Sequence, residues 1–160
     1  MEAIVAVYSD WGIGNGTTQP VTLHADRLHF REITKGCTVL VGRRTLADFP
    51  SGKPLKGRTN IVVTRQDIEI PDAEVVHSTE EAVVAANLHE RCIVIGGASI
   101  YEQFLPYTDK VYVTKVGCQP DSTRFFHNLD EDPSWVCIDQ SSVSEENGIP
   151  YYFCIYERKN

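Results

Sequence analysis

"CIVIGGASIYEQFLPYTDKVYVTKVG", residues 92–117, contains two strand-like runs with a helical segment between them. The first run, 92–96, is short, apolar and β-branched, the helical segment extends from about Ser99 to Leu105, and the second run covers 109–117. A crossover helix that connects two neighbouring strands leaves them parallel. This stretch therefore predicts an α/β fold whose sheet is mostly parallel.

Strand-like runs on both sides of this stretch extend the same sheet. On its N-terminal side they cover 3–9, 38–42, 59–64 and 73–77, and helical segments or loops separate them. On its C-terminal side the pattern changes to "SWVCIDQSSVS" and "PYYFCIYER", which are joined by "EENGI". Two such runs around an Asn-Gly turn are typical of a β-hairpin, so we expect the sheet to end in antiparallel strands.

Length and composition restrict the class of protein. With 160 residues, 42% of them hydrophobic, the chain can bury one core, and we expect residues 1–160 to form a single domain. No apolar run approaches the roughly 18 residues of a membrane span, and the N-terminus lacks the features of a secretory signal, so we expect a cytoplasmic protein. The five cysteines are far apart without CxxC spacing, which predicts reduced thiols and no metal site.

The charge of the chain is distributed unevenly. The net charge of −7 disfavours nucleic acid or a membrane as a partner. Between Arg43 and Arg65, however, six basic residues face a single acid, Asp48, which gives this segment +5 and the rest of the chain −12. The cluster is consistent with a solvated basic surface and equally with a site for a small anionic ligand.

Three junctions between a strand and the segment after it favour the anionic ligand. In open α/β sheets, ligands bind where the strands end, and bare amides at a glycine-rich helix start donate hydrogen bonds to phosphate oxygens. The junctions contain Gly96 and Gly97, Arg43–Thr45, and Thr64 with Arg65. Three anion sites on one sheet edge fit a ligand with several phosphates. No GxGxxG motif is present, and Arg65 suits an extra ribose phosphate, which favours NADP over NAD.

"TLHADRLHFREITKG", residues 22–36, reads as a helix with a carboxylate on its apolar stripe. Leu23, Asp26, Phe30 and Ile33 recur at helical spacing. An aspartate in the first turns of a helix is most often a surface residue or a partner of the helix dipole. Its place on the stripe instead predicts a partly buried carboxylate with a raised pKa that faces a hydrogen-bonding ligand.

The chain resembles the dihydrofolate reductase family along its whole length. The resemblance rests on six motifs in the family's order, "AIVAVYSDWGIGNG", "LHADRLHFREIT", "VLVGRRT", "GKPLKGRTNIVVTR", "VIGGASIYEQFLP" and "DKVYVTKV". It implies a single-domain α/β fold with an eight-stranded, mostly parallel central sheet, an antiparallel C-terminal strand and about four flanking helices. It also implies a monomer that reduces dihydrofolate to tetrahydrofolate with NADPH and binds antifolate inhibitors.

The resemblance also implies a substrate site. Asp26 matches the family's active-site carboxylate, which faces the pterin's amino group, and Thr114 supports the same ring edge. Arg58 matches the arginine that clamps the carboxylate of the glutamate tail, a role that suits a guanidinium, and Lys53 assists it. The implied catalytic residue is Asp26. The implied substrate-binding residues are Ile4, Val5, Asp26, Phe30, Phe49, Lys53, Leu55, Arg58, Ile95 and Thr114.

The implied NADPH site has three parts, which contact the nicotinamide, the phosphates with their riboses, and the adenosine 2′-phosphate. The nicotinamide side is matched by Ala6, Ile13 and the loop 14–18, and the phosphates and riboses by 43–45 and 97–101. The 2′-phosphate is matched by Thr64 and Arg65. The full set is Ala6, Ile13, Gly14, Asn15, Gly16, Thr17, Thr18, Arg43, Arg44, Thr45, Thr64, Arg65, Gly96, Gly97, Ala98, Ser99, Ile100 and Tyr101.

In the implied reaction, hydride moves from the nicotinamide to carbon 6 of the pterin while ring nitrogen 5 gains a proton. Asp26 would anchor the ring and favour its protonated form, and water would deliver the proton through the loop 10–21. Val21, Gln19 and Arg27 depart from the family pattern, in which tryptophan, methionine and an apolar residue are common at these places.

Two other functions remain compatible with parts of the sequence. A reductase of the same fold that acts on a pyrimidine or ribityl intermediate would explain the cofactor residues but not Asp26 with Phe30, Arg58 and Thr114. A nucleotide-binding module without catalysis is the more distant alternative.

Overall fold

The computed structural model describes residues 1–160, with nine strands, four α-helices and two 3₁₀ helices. The strands are β1 (Glu2–Val7), β2 (Thr38–Gly42), β3 (Thr59–Val63), β4 (Ala73–Val76), β5 (Cys92–Gly96), β6 (Lys110–Val116), β7 (Trp135–Gln140), β8 (Ser144–Glu146) and β9 (Ile149–Arg158). The α-helices are α1 (His24–Thr34), α2 (Arg43–Ala47), α3 (Thr79–Asn87) and α4 (Ala98–Phe104), and the 3₁₀ helices are Leu105–Tyr107 and Leu129–Glu131.

All strands belong to one sheet with the order β4-β3-β2-β5-β1-β6-β9-β7, and β8 pairs with β9 outside this path. The strands from β4 to β6 are parallel to their neighbours, whereas β9 is antiparallel to β6, β7 and β8. The six strand-like runs of the first 117 residues are all strands, and their ends differ from the predicted ones by at most two residues. The mostly parallel α/β sheet with an antiparallel C-terminal strand is therefore confirmed.

The structure has one strand more than the eight that the resemblance implies. The predicted C-terminal hairpin is present, but its first half is divided into β7 and the three-residue β8. The turn between β8 and β9 contains Asn147 and Gly148, whose φ angles are 52° and 80°. Positive φ at both central residues is what a two-residue hairpin turn requires, which explains the Asn-Gly pair.

Side chains that alternate along the strands divide the core between the two faces of the sheet. On β2, Val39 and Val41 pack on one face, with residues of α1 and α2, and Leu40 packs on the other, with residues of α3 and α4. All five residues of β2 and all five of β5 are buried, as expected for central parallel strands that helices cover on both faces.

This architecture brings several connections to one edge of the sheet. The segments after β1, β2, β3 and β5 all begin at the carboxyl ends of neighbouring parallel strands. They contain the loop 8–23, the start of α2, the Thr64 region and the start of α4. None of the helices is long and apolar enough to cross a membrane.

Candidate active site

Asp26 lies in the first turn of α1 and contacts the sheet through Thr114. The Thr114 hydroxyl donates to Oδ1 of Asp26 over 2.6 Å. Thr114 is on β6, where it pairs in register with Ala6 of β1. Burial raises the pKa of the Asp26 carboxyl, and the hydrogen bond from Thr114 offsets part of that increase. A raised pKa is what the position of this acid on the apolar stripe predicted.

The other residues of that stripe belong to two packing clusters. Phe30 and Ile33 pack with Ile4 and other residues on one face of the sheet, whereas Leu23 is buried against Tyr8 and Val116. The two clusters fix the helix at both ends, and Asp26 lies between them in sequence. The helix therefore presents a carboxylate toward β6 from a surface that is otherwise packed with apolar groups.

A cavity of about 110 Å³ lies at the carboxyl ends of β1 and β5. Ten of the eleven residues that line it are among the predicted site residues, and Gln19 is the eleventh. The lining residues are Val5, Ala6, Ile13, Gly16, Thr17, Gln19, Thr45, Ile95, Gly96, Gly97 and Tyr101. Gln19 reaches across the loop and donates from Nε2 to the carbonyl oxygen of Ala6 over 2.9 Å.

Two glycines and a threonine shape one wall of this cavity. The amide of Ala98 donates to the Gly16 carbonyl over 2.9 Å, so the loop after β1 lies against the start of α4. A Cβ atom on Gly97 would collide with the Gly16 carbonyl oxygen and would lie 2.8 Å from Oγ1 of Thr45, so only glycine fits there. The Thr45 hydroxyl is buried and has no hydrogen-bond partner. A buried polar atom of this kind is costly unless a ligand satisfies it.

Three arginines lie at the carboxyl ends of β2 and β3 without an acidic partner. Arg43 and Arg44 begin α2, and Arg65 follows β3. None of the five ion pairs in the structure includes any of them. The contact of Arg43 is a hydrogen bond from Nη1 to the side chain of Gln66, at 2.7 Å. Unneutralised cations at one edge of a chain with a net charge of −7 indicate an anion site.

Arg58 is held at the C-terminal end of α1. Its guanidinium donates to the Thr34 hydroxyl over 3.1 Å, to the Lys56 carbonyl over 2.7 Å and to the Arg31 carbonyl over 3.4 Å. A guanidinium has five N–H donors, so one donor remains on each terminal nitrogen. Two such donors match the two oxygens of a carboxylate.

Most of the remaining predicted substrate residues pack together beside α1. Phe30, Phe49 and Leu55 pack, partly buried, against the cluster that contains Ile4 and Ile95. Lys53 is exposed in the irregular segment 50–57, and its side chain forms no hydrogen bond or ion pair with the protein.

Comparisons with known proteins show the family to which the sequence and the fold belong. The family model for dihydrofolate reductase matches residues 1–158. The chain belongs to the dihydrofolate reductase family. Its relatives include dihydrofolate reductase of Bacillus subtilis, 36% identical over 92% of this chain and 88% of that one. The reductase of Staphylococcus haemolyticus is 34% identical over 97% of this chain and 93% of the relative.

A solved structure shares the fold of this dihydrofolate reductase family member. It is dihydrofolate reductase from Enterococcus faecalis, complexed with NADP(H) and RAB-propyl, and it superposes with a TM-score of 0.84. The identity is 29%, and the alignment covers 99% of this chain and 96% of the other.

Not all residues that are predicted to bind the cofactor have their side chains in the cavity. Ile100 packs in the core behind Gly42, so its side chain lies outside the cavity. Asn15 accepts hydrogen bonds from the amides of Thr17 and Thr18, at 2.9 and 2.8 Å, and so shapes the loop. Tyr101 donates its hydroxyl hydrogen to the Ile4 carbonyl over 2.6 Å and is partly buried against the core.

Sequence reasoning missed a second segment that supports the loop after β1. The carbonyl of Gly14 accepts from the amides of Thr123 and Arg124, and the Gly14 amide donates to the Ser122 hydroxyl over 3.1 Å. The amide of Ile13 donates to the Arg124 carbonyl over 3.0 Å. These residues lie about 110 positions apart, and nothing in the periodicity of 118–127 indicates their contact with the loop.

Proposed function

We propose that this chain is an NADPH-dependent oxidoreductase that reduces dihydrofolate to tetrahydrofolate. The observation that carries the proposal is the partly buried carboxylate of Asp26, bonded to Thr114. Thr114 pairs in strand register with Ala6. Ala6 lines the cavity, and glycines form part of the cavity wall. Membership in the family supports the reaction, and the NADP(H) complex of the Enterococcus faecalis relative supports the cofactor.

The residues around the cavity fit NADPH. The partnerless Thr45 hydroxyl suits a phosphate oxygen, because it is a buried donor that a ligand at the cavity wall can satisfy. Gly97 allows this arrangement, because any side chain there would collide with the Gly16 carbonyl and crowd the Thr45 hydroxyl. Arg43 and Arg44 supply positive charge beside them, and Thr64 with Arg65 would hold the 2′-phosphate. When bound, NADPH supplies the hydride.

Asp26 would act on the pterin and not on the nicotinamide. Its carboxylate would accept hydrogen bonds from the pterin's amino group and the neighbouring ring nitrogen, with Thr114 fixing the orientation of the acid. The raised pKa extends to higher pH the range in which Asp26 and the bound ring together hold one proton, and the carboxylate form of Asp26 stabilises that proton on the ring, which then accepts hydride at carbon 6. Solvent that enters past the loop 10–21 would protonate nitrogen 5.

The remaining substrate groups have partners on α1 and in the segment between α2 and β3. Phe30 would line the pterin pocket, and Phe49 and Leu55 would flank the benzoyl ring. The free donors of Arg58 would bind the glutamate carboxylate. A reductase of a ribityl intermediate would leave the Asp26–Thr114 pair and Arg58 without a role. We further propose that residues 1–160 act as one domain, as a monomer, in the cytoplasm, and that antifolate inhibitors bind the same pterin pocket.

The test is NADPH oxidation, followed by cofactor absorbance, with dihydrofolate as the second substrate. We expect turnover with dihydrofolate and none with a pyrimidine that carries a ribityl chain. Asp26→Asn serves as the matched control, because it should bind NADPH and turn over slowly. Turnover with the ribityl substrate alone, or NADPH binding without any turnover, would contradict the proposal.

A further inference from the structure

The helix that carries Asp26 begins without a cap of its own. Leu23 is at the N-cap position of α1, and its side chain offers no acceptor to the first amides. The first four N–H groups of a helix have no partner inside the helix, and Ser, Thr, Asp or Asn usually accepts from one of them. Leu23 is instead buried in an apolar cluster, where a polar side chain would be unfavourable.

Glu146 supplies this cap from another part of the chain. Its Oε2 atom accepts from the His24 amide over 2.7 Å, and its Oε1 atom accepts from the Ala25 amide over 2.9 Å. Both oxygens of the carboxylate are used, and the two amides belong to the residues directly before Asp26. The charge also matches the positive end of the helix dipole, and the two amide bonds hold the pKa of the Glu146 carboxyl below its usual range.

Glu146 is itself fixed by the hairpin that contains it. It is the last residue of β8, and it pairs with Ile149 across the Asn147–Gly148 turn. Ile149 packs against the cluster of Tyr8, Leu23 and Val116. The cap and the apolar contacts of Leu23 therefore come from the same part of the structure.

A second contact attaches α1 to the hairpin about one turn later. The rings of His29 and Phe153 stack with their centres 4.0 Å apart. Phe153 is on β9 and pairs in register with Thr114, the donor to Asp26. Asp26 thus lies between two attachments of its helix to the same hairpin.

We propose that Glu146 is a positioning residue, whose carboxylate fixes the first turn of α1 and thereby holds Asp26 against Thr114 for the substrate. The proposal rests on the function proposed above, because it assigns Glu146 a role in that reaction. Without the cap, the amides of His24 and Ala25 lose their acceptors, and the first turn can unwind as far as Asp26. The sheet and the NADPH cavity do not depend on this contact.

The negative charge of Glu146 also affects the pKa of Asp26, which a contact without charge would not do. The charged groups that influence the pKa of Asp26 are Arg27 and His29 on α1 and Glu146 on β8. Tyr101 on α4 is the other ionisable group nearby, and the charge of Asp26 helps to raise its pKa. Burial is the main cause of the raised pKa of Asp26, and Glu146 contributes in the same direction. Loss of its negative charge should therefore lower the pKa of Asp26.

The experiment compares Glu146→Gln with Glu145→Gln. Glutamine at position 146 keeps one acceptor oxygen but loses the other and the charge. Glu145 is the neighbouring exposed residue on the same strand, its side chain has no hydrogen-bond partner, and it undergoes the same change of charge. Glu146→Asp keeps the charge on a shorter side chain and should restore part of the activity.

Single-turnover hydride transfer with NADPH preloaded is measured against pH at low ionic strength, where exposed charges are least screened. For Glu146→Gln we expect a rate about three- to tenfold lower, the range that loss of a helix cap produces in an equilibrium. We also expect a decline with pH that begins at lower pH than in the wild type, and an unchanged dissociation constant for NADPH. Glu145→Gln should match the wild type in all three.

The possible failures are distinguishable. If Glu146→Gln equals Glu145→Gln in rate and pH profile while the wild type reduces dihydrofolate, the positioning role is wrong and the proposed function stands. The same conclusion follows if only the melting temperature of Glu146→Gln falls. A wild type that does not reduce dihydrofolate would overturn the proposed function and this role with it.

Discussion

Thr114 donates its hydroxyl hydrogen to Oδ1 of Asp26 across 88 positions of sequence, over 2.6 Å. The hydrogen bond joins α1, which carries Asp26, to β6, a central strand of the sheet. It stabilises the charged form of the acid, whereas the burial of the carboxyl disfavours that form, and burial is the larger effect. The acid is therefore held in a defined position at a cost in stability.

The first prediction concerns that cost. Because the pKa of Asp26 is raised in the folded chain, the folded state retains the proton more strongly than the unfolded state does. The free energy of unfolding then decreases as pH rises from the ordinary value of 3.8 through the raised pKa. Asp26→Asn, which keeps the acceptor for Thr114, should raise the melting temperature near neutral pH, by about 2 to 4 °C for each kcal/mol recovered.

The measurement is thermal unfolding of both proteins at a series of pH values from about 3 to 8, which brackets the titration of a shifted aspartate. The difference in melting temperature should shrink toward acid pH, where the wild-type carboxyl is also neutral. Glu145→Gln is the control, since it removes an exposed carboxylate without a hydrogen-bond partner. A constant difference at all pH values would argue against a raised pKa.

The second prediction concerns catalysis by the same residue. Asp26→Asn should bind NADPH normally but transfer hydride about 100-fold more slowly or worse at neutral pH, the usual loss when a group that assists proton transfer is removed. The deficit should become smaller as pH falls, because solvent acid then protonates the substrate. Wild-type hydride transfer should decline as pH rises, with an apparent pKa above that of an unperturbed aspartate.

Single-turnover hydride transfer, with NADPH preloaded, separates this effect from product release. A variant that matches the wild type at alkaline pH would show that Asp26 has no role in protonating the substrate.

The third prediction assigns cofactor preference to Arg65. This arginine follows β3 without an acidic partner, so its charge is available to a 2′-phosphate. Arg65→Ala should weaken NADPH about 10- to 100-fold, the loss that corresponds to a hydrogen bond between charged groups, and should leave NADH nearly unchanged. Lys159→Ala, with the same change of net charge at the C-terminus, should affect neither cofactor. Equal weakening of both by Arg65→Ala would exclude it from the phosphate site.

Local patterns were enough to predict the frame of the site but not the contacts that hold it together. Strand-like runs of sequence contain Ala6 or end shortly before Thr45 and Gly97. Because these strands are parallel, the three residues lie at the same edge of the sheet. Glu146 and Ser122 lie in segments without such a pattern, and each contacts a residue more than 100 positions away. Residues of this kind become visible only when the register of the hairpin and the course of the loops are fixed.

Gln19 illustrates the same limit within the cofactor site. The sequence marks it as a departure from the family pattern, but it cannot tell where a flexible amide side chain will find its acceptor. In the structure that acceptor is the carbonyl of Ala6, inside the cavity proposed for the nicotinamide. The side chain of Gln19 and the nicotinamide each end in a primary amide, whose NH₂ group is a hydrogen-bond donor. We therefore expect the two NH₂ groups to compete for the Ala6 carbonyl.

The last prediction tests this competition. Gln19→Ala removes the amide, so binding of NADPH no longer requires the bond to Ala6 to be broken. The dissociation constant of NADPH should fall about two- to tenfold, which corresponds to one neutral hydrogen bond. Gln140→Ala, an exposed glutamine on β7, should have no effect on the same constant.

A cofactor fragment without the nicotinamide, adenosine 2′,5′-bisphosphate, makes the result specific. It reaches the sites of Arg65 and Thr64 but not the carbonyl of Ala6, so its affinity should be the same for the wild type and Gln19→Ala. Titration calorimetry with both ligands on both proteins gives the four constants that are needed. If the fragment also binds Gln19→Ala more tightly, the substitution has changed the loop as a whole. If NADPH binds more weakly, Gln19 assists the bound cofactor, and the competition inferred from its bond to Ala6 is wrong.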